Sequence, residues 1–178
     1  MGPTQTSKAR SAARPDEPQA TDATASVVSY RLAIAGVYIL QGFLWYFSFK
    51  EKIFDDDAKA PPPIKKQFAG TVIDSFPRID AVLAILGILE GLIFLAVVIS
   101  LLTGKFLPQR RKPILLGGLA LAMLTFAVLA FGETLTKQYG SVASLYAYFG
   151  ATAVIFVLVL LMPPYRSMPW LTALTKSG

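Results

Sequence analysis

The sequence predicts an all-α integral membrane protein: a bundle of four transmembrane helices, with one further amphipathic helix at the interface in loop 1–2. Three observations predict it. Of the 178 residues 54% are hydrophobic and 16% charged, with a mean hydropathy of +0.54, which is not the balance of a water-soluble domain. The apolar residues gather into four runs of about 20, the length a helix needs to cross roughly 30 Å of hydrocarbon. There is no cysteine and no histidine, so disulfides, most zinc sites, iron–sulfur clusters and Cys/His catalysis are excluded. The same absence argues against four-span proteins whose outer loops rely on disulfides.

Residues 1–26, "MGPTQTSKARSAARPDEPQATDATAS", are small, polar and charged. They offer too little apolar surface to offset the entropy of ordering, and a disordered tail is expected. The first apolar run begins only near residue 27, too late for a signal peptide, so it should stay as an anchor. A transmembrane domain over residues 27–165 is expected, with spans 27–49, 79–103, 114–135 and 142–162, followed by a C-terminal tail over residues 166–178.

Counting Arg31 at the start of span 1 with the N-terminal flank, ten of the 17 basic residues lie in the two terminal flanks and loop 2–3. Those of loop 1–2 are matched there by Glu51, Asp55, Asp56, Asp57, Asp74 and Asp80. The compact Arg110-Arg111-Lys112 cluster sits in a short loop, where charge weighs most, and it places both termini in the cytoplasm. The net charge of +6 flanks apolar segments, so anionic lipid headgroups rather than nucleic acid are its expected partners.

Loop 1–2 carries its own signal. After "DDDAKAPPP", Ile64, Phe68, Val72 and Phe76 recur every fourth residue, while Lys65, Lys66, Thr71, Asp74 and Ser75 take the other face. This is an amphipathic helix over about 64–76, too short to span and stopped by Pro77. It either lies in the interface or packs its phenylalanines onto the span tops.

Span 2 holds one acid, Glu90, in "ILGILEGLIFL". Its fifteen Val, Ile, Leu and Phe residues between Val82 and Leu102 contribute roughly −6 kcal/mol to insertion, against about +3 for the carboxylate. Insertion survives, but Glu90 must face protein or water. Gly87 and Gly91 form a Gly-x-x-x-Gly pair on its side of the helix, where a neighbour can approach closely. Gly104, just past the span, should tolerate a larger residue better than Gly91. Either Glu90 is a hydrogen-bonding fastener, or it serves proton transfer, ion coupling or headgroup recognition. Gln41, at the middle of span 1, is the expected partner by depth.

Arg31, Tyr38, Trp45 and Lys52 fall at heptad spacing around Gln41, a polar and aromatic stripe. Glu133 near the outer end of span 3, with Ser141, Ser144, Tyr148 and Thr152 on one face of span 4, outlines a polar pocket opening outward. Against the pocket, Trp and Tyr at such depths serve as interfacial belts, and Ser and Thr bond their own helix carbonyls.

Arg31 opening span 1, Gly42 later in it, and the Glu90-Gly91 step followed by "SLLTGKF" resemble the DoxX-like membrane proteins, which include a small subunit of thiosulfate:quinone oxidoreductase. The resemblance covers spans 1 and 2. It implies a four-span fold in a bacterial inner (plasma) membrane and a role as partner of other redox or envelope proteins.

Three functions are therefore expected in order. The first is a non-catalytic accessory subunit of a larger membrane complex, such as a lipid transporter or respiratory assembly, with no cofactor. The second, implied by the resemblance, is a membrane subunit of a quinone-linked oxidoreductase. The third is a small proton-coupled transporter with Glu90 as its coupling acid.

Overall fold

The structure, a computed structural model, describes residues 20–55, 59–75 and 78–162, with side chains described from residue 27. It is an all-α bundle. Helix α1 runs Ala20–Lys50 and continues as a π-helical turn over Glu51–Asp55. Two short helices follow, α2 (Pro62–Phe68) and α3 (Val72–Ser75), and then the long helices α4 (Ile79–Leu102), α5 (Pro113–Leu135) and α6 (Tyr139–Leu161). Four segments, Val27–Asp55 and the helices α4, α5 and α6, are long and apolar enough to cross a membrane.

The expected spans agree with these helices to within a few residues, except at the two ends of the first. Residues 20–26, expected in the disordered tail, continue α1 towards its N-terminus. Their alanines are good helix formers, and adding residues to an existing helix needs no new nucleus. At the other end helical structure passes residue 49 to Asp55. Residues 1–19 and 163–178, which hold the rest of both expected tails, lie outside the described residues.

All four long helices meet at the end that carries loop 2–3. There Ile34, Val37 and Tyr38 of α1, Val97 of α4, Leu115 and Leu119 of α5 and Val159 of α6 form one buried cluster. Tyr38 and Ser100 share a 2.7 Å hydrogen bond between α1 and α4, and the Tyr30 hydroxyl donates to the Phe106 carbonyl at 2.9 Å, pinning the loop to α1. Lys112 closes this end, fully buried, its ammonium 5.6 Å from the Tyr30 ring centre. Burial holds it below the usual lysine range,. Nearer the opposite end a second cluster joins Trp45, Ile93, Ala122 and Phe126.

The single amphipathic helix expected over 64–76 is two helices. The backbone turns between them at Gly70, which has φ +77°, a conformation that costs glycine little. The Asp74 carboxylate accepts from the Gly70 N–H at 3.1 Å. The break rotates the second half: Phe68 is buried, but Val72, expected on the same apolar face, is 77% exposed and Ile73 packs inward instead. Phe76 and Pro77 lie outside the described residues.

This segment caps the bundle. Asp80 accepts the Ala60 N–H at 2.8 Å and pairs with Lys65 at 3.1 Å. Phe68 lies beside Gly132 of α5, whose missing side chain leaves room for the ring.

Candidate functional site: a buried ion pair and an unpartnered helix face

Glu90 is completely buried, and its partner is Lys52, with Nζ 3.0 Å from Oε1. The expected partner, Gln41, is engaged elsewhere: its Oε1 accepts from the Trp45 indole N–H at 2.9 Å. The register of α1 against α4 explains the correction. Phe49 and Ile53 face Gly91 and Gly87, Gly42 faces Val97, and Tyr38 meets Ser100. Gln41 is therefore roughly 16 Å along the helix axis from Lys52, at 1.5 Å per residue. The span midpoints do not pair because α1 and its π-helical turn continue past the apolar run to Asp55.

Each part of the pair has a local cause. The π-helical turn at 51–55 carries Lys52 and Ile53 over Gly87; a Cβ on Gly87 would fall 3.3 Å from Lys52 Cβ and 2.7 Å from Ile53 Cδ1. A Cβ on Gly91 would lie 2.9 Å from the Phe49 ring. The Gly-x-x-x-Gly face thus does what close approach requires, admitting a lysine stem and an aromatic ring between two helices. Ser48 Oγ accepts from Lys52 at 3.1 Å and steadies the ammonium. Glu90 is held by charge: no described group donates a hydrogen bond to either of its oxygens. The side chain of Lys52 keeps 19% exposure while that of Glu90 has none, so the acid is the more deeply enclosed partner.

Trp45 is buried, its ring 5.0 Å from Phe126, and its hydrogen bond to Gln41 satisfies the one polar group an indole brings into a core. Tyr38, Trp45 and Lys52 of the heptad stripe face inward, whereas Arg31 is exposed.

The residues expected to outline a polar pocket near the outer end are engaged separately. Glu133 accepts from Gln67 Nε2 at 3.0 Å, and the same amide donates to Thr136 at 3.0 Å, so this acid ties α2 to the end of α5. Ser144 donates to the Gly140 carbonyl of its own helix. Tyr148 is 52% exposed, its ring stacked on Phe126 at 5.8 Å, and Thr152 is buried. Ser144 thus takes a backbone acceptor one turn back, the competing outcome for such residues,.

Gly104 also departs from expectation. Its φ is +66°, in the left-handed region, so a larger residue there is strained for a reason unrelated to helix packing.

α6 is the least covered of the long helices. It packs along α5, yet buries only Thr152 and Val159 fully. Gly140, Ala143, Ala147, Gly150, Ala151 and Val154 form an outward face that is exposed throughout. Nothing in the hydropathy of this span marks it as open on one side, although the small residues at helical spacing are visible in the sequence.

No family model, curated protein or solved structure matches the chain.

Proposed function

We propose that this chain is a non-catalytic subunit that docks into a larger membrane assembly through α6. The observation that supports this reading most is the composition of the uncovered face of that helix. A surface meant only for lipid gains from large aliphatic side chains, whereas small residues every third or fourth position favour close approach by another helix. The ion pair supports the same reading. Lys52 and Glu90 neutralise each other inside the bundle, which suits a fastener that holds α1 to α4. Multi-subunit lipid transporters and respiratory assemblies are the kinds of complex such a bundle would join.

Ala147→Trp is the direct test, since it places a bulky ring on the docking face without touching the bundle core. The variant should keep the thermal stability of the parent in mild detergent while losing the partner that copurifies with the parent. Unchanged copurification would remove α6 as the docking element.

The proposed setting is a bacterial inner membrane with both termini in the cytoplasm, on the strength of the short basic loop 2–3. The chain has no cysteine, so single reporters are clean. A cysteine replacing Lys59 should react with an impermeant thiol reagent on intact spheroplasts, and one replacing Gln109 should not. The opposite labelling would invert the orientation.

A further inference from the structure

A cavity of about 760 Å³ opens between α1 and α4 on the lipid-facing side of the bundle, within the range of about 300–1,000 Å³ typical of small-molecule sites. It begins at Arg31 beside the Phe106-Leu107-Pro108 segment of loop 2–3 and ends at Tyr46 and Phe94. From Arg31 to Tyr46 is roughly 22 Å along α1, more than the roughly 15 Å depth of one hydrocarbon leaflet. The groove is therefore long enough to hold a chain lying along the membrane normal. Its walls are otherwise aliphatic and aromatic, and its floor is opened by Gly42, beyond which Val97 lies.

The charge at its mouth selects the occupant. Arg31 is exposed and makes no ion pair with any described residue. Loop 2–3 beside it carries Lys105, Arg110 and Arg111 and no acid between Thr103 and Lys112. Tyr30 to Phe106 and Arg110 to the Thr103 carbonyl are contacts internal to the fold, and among the described residues none engages the Arg31 guanidinium. A guanidinium with no ion pair among the described residues, at the open end of an apolar channel, matches an amphiphile with an anionic head and a long hydrocarbon chain. We infer that the α1–α4 groove is a binding site for an anionic phospholipid, its phosphate on Arg31 and one acyl chain lying between Ile39, Phe43 and Val98.

The inference is independent of docking through α6. It is tested on the full chain, purified in mild detergent and titrated with phosphatidylglycerol or phosphatidylcholine of identical chains, with bound lipid read by native mass spectrometry. The parent should prefer phosphatidylglycerol about fivefold, the factor for one basic side chain worth about 1 kcal/mol at a lipid headgroup. Arg31→Gln should bring the ratio close to one. Ile39→Trp, at a position 59% exposed on the groove wall, should reduce binding of both lipids by filling the channel. Neither variant alters a buried residue, and an unchanged melting temperature establishes that each is folded. Equal binding of the two lipids by the parent, an undiminished preference in Arg31→Gln, or tighter binding of a neutral isoprenoid quinone than of phosphatidylglycerol would overturn the assignment.

Discussion

Replacing Lys52 by Met should destabilise the bundle more than replacing Glu90 by Gln, although the two residues form one ion pair. Lys52→Met strands a carboxylate that is fully buried and accepts no hydrogen bond from a described group. Breaking a buried pair from one side costs about 3–5 kcal/mol, and this case falls at the lower end because the lysine side is partly open. Glu90→Gln instead leaves a lysine that still donates to Ser48 and keeps 19% exposure. Its four-carbon stem can carry the ammonium outward to the polar boundary, so the loss should be about 1 kcal/mol. The double variant Lys52→Met/Glu90→Leu removes both charges, and apolar replacements of whole buried pairs are frequently neutral. It should recover to within about 1 kcal/mol of the parent. Unfolding in mild detergent titrated with a denaturing one measures all three. If Lys52→Met proves no more harmful than Glu90→Gln, the ion pair is not what holds α1 against α4.

The same pair marks where sequence reasoning reached its limit. That Glu90 must be enclosed follows from the cost of a carboxylate in hydrocarbon, and that its side of the helix admits a close neighbour follows from Gly87 and Gly91. Both are present in the fold. The partner is not legible from the ends of the apolar runs, which misplace its depth. A helix need not stop where hydropathy does, and α1 continues through the π-helical turn to Asp55. Lys52 was visible as the fourth member of the series Arg31, Tyr38, Trp45, Lys52, one heptad beyond a buried tryptophan. That periodicity, rather than the apolar boundary, carries the signal for it. In the same way, the period of four in loop 1–2 foretold helix and an inward Phe68. It could not foretell the break at Gly70, where a local turn with its own carboxylate acceptor wins over a continuous amphipathic face,. The exposed face of α6, proposed above for docking, is harder still to read, since small residues look alike in sequence whether they face a helix of the same chain or of another.

Adjacent glycines on α5 should give opposite results when each is changed to leucine. Gly118 faces α4: a Cβ there would lie 3.1 Å from the Ala96 Cβ and 3.8 Å from the Ile93 carbonyl oxygen. Ala96 has no rotamer through which to withdraw, so a leucine can fit only if the two helices separate. Overpacking of this kind costs about 1–3 kcal/mol where side chains can yield. With backbone-fixed neighbours, about 3 kcal/mol or more is expected for Gly118→Leu. Separation would also loosen Ile93, Leu115, Leu119 and Ala122, all of which are buried around this contact. Gly117 is one residue away but points to open space, with no heavy atom within 4 Å of a built Cβ. Leucine at Gly117 adds apolar surface where lipid can cover it and removes a glycine from a helix interior, a change worth up to about 1 kcal/mol in helix propensity. Gly117→Leu should therefore be neutral or stabilising. Gly91→Leu should fall between them, because the atoms it meets, Phe49 Cδ2 and Cε2 at 2.9 Å, belong to a ring that can swing aside. The expected order of stability in detergent is Gly117→Leu, then Gly91→Leu, then Gly118→Leu. Equal melting temperatures for the Gly117 and Gly118 variants would mean that α4 and α5 do not pack through Gly118, and the arrangement of the bundle's central pair of helices would have to be redrawn.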